Sequence, residues 1–191
     1  MKVILASASP RRKELMDLSE IDYEILVSNF DEKVDCNLSL EEQSKEIAYG
    51  KAKDVFENTQ GDRVIIGADT LVILDGKQFG KPHCREKSIE MLKKLQGRKH
   101  TVYTSIAVLI EENGKYKEYK ELHQAQVSIK NMTDEEIENY VDTQRPYDFA
   151  GAYAIQTRFA VFIDEVIGDY FAVIGLPIHR IYSILKENNI I

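Results

Sequence analysis

The segment Val3-Ile4-Leu5-Ala6-Ser7-Ala8-Ser9-Pro10-Arg11-Arg12 constrains the fold more than any other stretch of this chain. Consecutive apolar residues read as a buried strand over Lys2 to Ala6. Small residues then allow a close backbone turn, and Ser9 with Pro10 supplies an N-cap and a proline at the first helical position. A strand therefore runs directly into a helix that extends to about Leu18. Ser9, Pro10, Arg11 and Arg12 also cut the apolar stretch too short for the core of a secretory signal.

The same grammar recurs along the chain. Tyr23 to Val27 reads as a second strand. Ser39 with Glu42 is a capping box that starts a long helix ending near Asn58. Arg63 to Ala68 reads as a short buried strand, and Leu71 to Leu74 as a strand entering a tight turn at Asp75-Gly76. Arg85 to Leu95 has helical spacing, with Gly97 placed as a C-terminal cap. His100 to Ile110 alternates as a strand that Asn113-Gly114 turns into a partner around Tyr116 to Ile129. Thr133 and Glu136 cap a helix to about Thr143. Phe159 to Ile167 and Tyr170 to Val173 read as strands, and Pro177 opens a last helix ending near Lys186. No repeat, low-complexity segment or linker interrupts the pattern. The expectation is an α/β chain, one domain over 1–191, with a long mixed sheet flanked by helices.

Composition narrows the function. The chain carries 25 Lys+Arg against 32 Asp+Glu, a net charge of −7. That is a poor footprint for duplex nucleic acid, which favours a basic face, so no stable nucleic-acid binding is expected. No apolar run approaches the ~20 residues that span a bilayer, so no membrane association is expected. Cys36 and Cys84 lie far apart without a CxxC partner and read as free thiols in a reducing compartment. The expected location is the cytoplasm.

Several segments could carry chemistry. The strand-to-helix turn at Ser7 offers outward-pointing amides, and Arg11 and Arg12 add guanidinium forks suited to phosphate. The same residues also fit a capped helix with two solvated arginines. Asp69 follows the apolar pair Ile65-Ile66, at the strand end where open α/β sheets bind ligands. There it could hold Mg²⁺, act as a general base, or cap a turn. Lys81, in Gly80-Lys81-Pro82, is a weak candidate by itself. Ala150 to Gln156 is a small-residue tract in which Gln156 could read a base edge, or it is a packed strand. Glu32 and Lys51 read as surface residues when taken singly, and His83, His100, His123 and His179 show no metal-ligand spacing.

In combination these segments resemble the Maf family of nucleotide pyrophosphatases, related in fold to the inosine triphosphate pyrophosphatases. The resemblance covers essentially the whole chain. It runs through Leu5 to Arg12, Gly67 to Thr70, Gly80 to Pro82, Gly97 to Thr104, Ala150 to Gln156 and Gly175 to Pro177. It implies metal-dependent hydrolysis of a nucleoside triphosphate to the monophosphate and pyrophosphate, with Mg or Mn as the cation. Carried over, Asp69 is the water-activating base and, with Glu32, the metal ligand. Ser7, Arg12, Lys51 and Lys81 hold phosphate. Arg11, Thr70 and Gln156 match the branch of the family that acts on dTTP and UTP, and the branch acting on 7-methyl-GTP differs at the first and last of these. The resemblance also allows a homodimer, a septum-inhibition role through a partner, or a purine-directed activity on inosine or xanthosine triphosphate. The chain departs from the family pattern at Phe149, where Lys is common, at Ala172, where Asn is frequent, and at Ser105, where Gly is usual.

Overall fold

The opening strand and helix form as read. In the computed structural model, which describes residues 1–191, β1 is Lys2–Leu5 and α1 is Pro10–Asp17. Ser9 occupies the N-cap position but its own side chain does not cap; the Ser7 hydroxyl instead accepts from the Ser9 N–H at 3.2 Å. The remaining strands are β2 (Glu24–Ile25), β3 (Arg63–Leu74), β4 (Lys77–Phe79), β5 (Lys99–Glu112), β6 (Lys115–Ile129) and β7 (Ile163–Gly168). The remaining helices are α2 (Leu40–Glu57), α3 (Arg85–Leu95), α4 (Asp134–Gln144), α5 (Tyr170–Ile174) and α6 (Ile178–Glu187). The seven strands form one mixed sheet in the order β2-β1-β3-β5-β6-β7, with β4 paired to β3. β1 lies parallel to both β2 and β3, whereas β4 and β7 pair antiparallel.

Capping chemistry set the two best-defined helix starts. Ser39 and Thr133 each form a complete capping box with Glu42 and Glu136. Both hairpins use the expected turn residues. Asp75-Gly76 and Asn113-Gly114 have positive φ at both positions, as the twist of a two-residue hairpin requires.

Four expectations are corrected. The strand through Arg63 does not stop at Ala68; it continues unbroken to Leu74, because its residues are buried almost without interruption. Phe159 to Phe162 lies in a single 3-10 turn, Arg158–Phe162, and only Ile163–Gly168 is strand. Thr157 accepts from the Phe159 N–H and so starts that turn. Tyr170 to Ile174 is a short helix, with the Asp169 carboxylate accepting from the Ala172 N–H at 3.1 Å. A short apolar run reads equally as strand or helix, and this cap decides it. The tract Ala150 to Ala152 is likewise a 3-10 turn and no packed strand.

The chain divides into two compact units and passes between them four times. The first unit is 1–69, 104–123 and 175–191; the second is 70–103 and 124–174. The first has a core of Ile4, Ala6, Ala48, Ala52, Val55, Ile65, Ala107 and Leu109. Within it α2 lies very close to β3. A Cβ on Gly67 would meet the Ala48 carbonyl and come within 2.8 Å of the Ala52 N, so only glycine fits.

The second unit packs around Phe159, Tyr140 and Tyr153, whose rings meet at centroid distances of 4.9 Å. His100 is buried beside them, with Nε2 2.7 Å from the Tyr153 hydroxyl and Nδ1 without a partner. This is a structural histidine. Burial pushes its pKa down from 6.5 to about 4, so the folded protein holds it neutral.

A pH dependence of stability follows. Between about pH 6.5 and 4 the unfolded chain binds a proton on His100 that the folded chain refuses, so folding stability falls as pH falls through that window and levels off below it. The full contribution is on the order of 3 kcal/mol. Urea unfolding at pH 7 and pH 4.5 should therefore show a larger loss for the wild type than for His100→Gln.

Candidate functional site

The first unit gathers most of the charged candidates around the point where α2 crosses β3. Asp69 sits inside β3 and is 7% exposed, which excludes the turn-capping reading. Lys51 projects from α2, one residue before Ala52, so the contact of that small residue with Gly67 brings the ammonium to the same strand. Lys51 Nζ lies 3.4 Å from Asp69 Oδ1 and 2.8 Å from Glu32 Oε1. The other Asp69 oxygen, Oδ2, is buried and accepts no hydrogen bond. A buried carboxylate oxygen without a donor is costly and uncommon, and it marks a place for a cation, a water or a reacting proton.

Glu32 reaches this point because its loop is fastened to α2 twice. The Phe30 ring occupies the space a side chain at Gly50 would fill, with its Cε1 only 2.6 Å from that position. Asp54, one helical turn later, accepts from the Ser28 hydroxyl at 2.9 Å and the Asn29 N–H at 2.8 Å. Neither Phe30 nor Asp54 stood out in the sequence. The available signal was Gly50 itself, since a glycine inside a helix costs about 1 kcal/mol and needs a packing reason. The Glu32 side chain remains 59% exposed, so it is the open side of the cluster.

Arg12 is turned inward from the first turn of α1. Its Nε donates to the Gly175 carbonyl at 2.9 Å, and its Nη1 donates to the Ala68 carbonyl at 2.9 Å and the Ser7 hydroxyl at 3.2 Å. One guanidinium thus ties together the loop after β1, the residue before Asp69 and the segment before α6. Burial pulls its pKa down, and the neighbouring Asp69 carboxylate pushes back toward the charged form. The solvated-arginine reading therefore fails for Arg12. Arg11, beside it, is half-buried.

Thr70, Lys81 and Gln156 belong to the second unit. Thr70 is half-buried in β3, and Lys81 and Gln156 are exposed on loops. Within that unit the Gly151 N–H donates to the Gly80 carbonyl at 3.2 Å, which joins the Lys81 loop to the small-residue tract ahead of Gln156. Gly151 has φ +69, and a Cβ there would press on Val72 at 3.0 Å. The small residues of this tract thus serve a close backbone approach.

The chain is similar to known proteins over its full extent. The pattern of the family described as Maf-like protein matches residues 2–188. A protein of Thermoanaerobacter sp. (strain X514) named dTTP/UTP pyrophosphatase is 42% identical over 191 residues, covering 98% of this chain and 96% of that one. A protein of the same name from Clostridium novyi (strain NT) is 43% identical over 188 residues, covering 98% and 97%. Among solved structures, a HAM1 protein from Coxiella burnetii is similar with a TM-score of 0.47 at 14% identity, covering 98% and 99%.

The Phe30–Gly50 contact is open to test. Gly50→Val should expel the ring, release the loop carrying Glu32 and lower stability by about 1–3 kcal/mol through overpacking. Hydrogen exchange should rise across Ser28 to Val34 with α2 itself still protected.

Proposed function

The chain belongs to the Maf family, and on that premise we propose that it hydrolyses dTTP and UTP to the nucleoside monophosphate and pyrophosphate. The observation that carries this reading is Asp69: a buried carboxylate with one oxygen unpartnered and the other beside an ammonium. Such a group can take a proton from a water. Asp69 Oδ2 is the proton acceptor in this proposal.

Asp69 and Glu32 also suit a hard divalent cation. Both are oxygen donors joined through one ammonium, and Asp69 keeps an orphaned buried oxygen, which is the donor chemistry Mg²⁺ or Mn²⁺ prefers. When bound, that cation would neutralise the charge that develops on the phosphates. Ser7, Lys51 and Lys81 are assigned to phosphate oxygens. Arg12 is assigned there too, together with the backbone contacts that hold the Ala68 carbonyl and Ser7 in position. Arg11, Thr70 and Gln156 are assigned to the base. The Gln156 amide offers one donor and one acceptor group to the imide edge of thymine or uracil, whereas a carboxylate would offer acceptors alone.

The substrate in this proposal is a free nucleotide and the proposed location is the cytoplasm. No helix of the fold is long and apolar enough to cross a membrane. The four passages of the chain between its units support treating 1–191 as one functional domain.

Two measurements check this. Asp69→Asn should cut pyrophosphate release by about 10³-fold or more with the fold intact, whereas a role confined to partner binding would survive it. Pyrophosphate release across a nucleotide panel should rank dTTP and UTP above 7-methyl-GTP, inosine triphosphate and xanthosine triphosphate. A methylated guanine or a deaminated purine at the head of that ranking would sink the assignment of Arg11, Thr70 and Gln156.

A further inference from the structure

Lys51 presents an electrostatic problem that the proposed chemistry does not explain. Its side chain is 14% exposed and rises from the middle of α2, which sets the ammonium between two carboxylates. It leans toward Glu32 at 2.8 Å and stands farther from Asp69 at 3.4 Å. A Lys ammonium has three donors and no acceptor, so it can satisfy one carboxylate fully and another in part. Asp69 is the partly served one, and its Oδ2 has no donor at all. Asp69 is therefore the carboxylate that Lys51 serves less, although it is the more buried of the two, and Arg12 is its other neighbouring cation.

We propose that Lys51 is the resident cation of the Glu32–Asp69 pair: it bridges the two carboxylates while no metal is bound and yields them when a divalent cation arrives. Its ammonium then turns to the phosphates that the same cation accompanies. This rests on the pyrophosphatase reading, because it gives the metal the same two carboxylates. The geometry favours exchange over simple coexistence. An ammonium 3.4 Å from Asp69 Oδ1 would repel a divalent ion held by that carboxylate, and the repulsion is weakly screened where the groups are buried. Glu32, the exposed member, is the carboxylate that can swing with little loss of packing.

Mn²⁺ alone, without nucleotide, tests the exchange on the full chain. Isothermal titration should show Lys51→Met binding Mn²⁺ about tenfold tighter than the wild type, because a competing charge is gone. In EDTA the same variant should melt lower than the wild type, and Mn²⁺ should raise its melting temperature by more. Reductive methylation of the wild type, read by peptide mass spectrometry, should label Lys51 several-fold faster once Mn²⁺ is saturating, with the other lysines as internal reference. The labelling decides the matter even if Lys51→Met fails to fold. Equal or weaker Mn²⁺ binding by a folded Lys51→Met would overturn the proposal, as would unchanged Lys51 labelling under Mn²⁺ or no Mn²⁺ binding by the wild type. Failure of the underlying reading looks different: Asp69→Asn would then keep its pyrophosphate release, whatever Lys51 does.

Discussion

The close approach of α2 to β3 is the constraint on which the candidate site depends. Gly67 has no side chain, and the Ala48 carbonyl with the Ala52 N and methyl group face it from the helix. Any larger residue at these positions would lift the helix away from the strand. Lys51 adjoins this contact and Asp69 lies two residues beyond Gly67, so the ion pair inherits its distance from backbone packing. The site is thus built on two rigid elements, and a lysine on a loop could not be held near a buried carboxylate with the same certainty.

A second tier of contacts adjusts what that packing leaves loose. Phe30 in the Gly50 notch and Asp54 under Ser28 and Asn29 convert a long irregular stretch into a fixed arm that delivers Glu32. Arg12 does the same for the turn after β1, with bonds to Ser7, Ala68 and Gly175. Charge-assisted hydrogen bonds of this kind are stronger than neutral ones and are bought at the cost of burying a cation. That cost is visible in the lowered pKa of the guanidinium, and Asp69 offsets part of it. The acid and the arginine are therefore coupled through charge as well as through the Ala68 peptide.

Much of the fold was legible because its signals are local. Ser39 with Glu42, Thr133 with Glu136, Asp75-Gly76 and Asn113-Gly114 act within a few residues, and each marks an element where it was expected. The misread stretches are those whose conformation depends on a neighbour. Tyr170 to Ile174 becomes helical through the Asp169 cap, and β3 runs through Asp69 because burial on its flanks outweighs the polar residues at its middle. The site divides in the same way. Ser7 and Arg12 stand out from the strand-to-helix turn, and Asp69 from a strand end that the structure replaces with the middle of β3, whereas Glu32 and Lys51 read as surface charges until a family resemblance joins them. Their meeting depends on Phe30 and Gly50, twenty residues apart, and no periodicity reports such a contact.

The net charge of −7 also acquires a different sense once its partners are known. Many of the cations are committed internally: Arg63 to Glu111, Arg85 to Asp142, Arg98 to Asp75 and Arg180 to Glu121. Arg63 is buried, whereas the other pairs lie toward the surface and add little stability; together they leave the outer surface without a broad positive field for a long polyanion. A triphosphate needs no such field. It needs a few cations held where acidic groups are also present, so that a nucleotide arriving with its own divalent ion meets both signs of charge in one place. Lys51 between Glu32 and Asp69 is that arrangement in its smallest form. The acidic composition and the proposed taste for phosphate are consistent: in that proposal the carboxylates serve the metal and a few half-buried cations serve the anion.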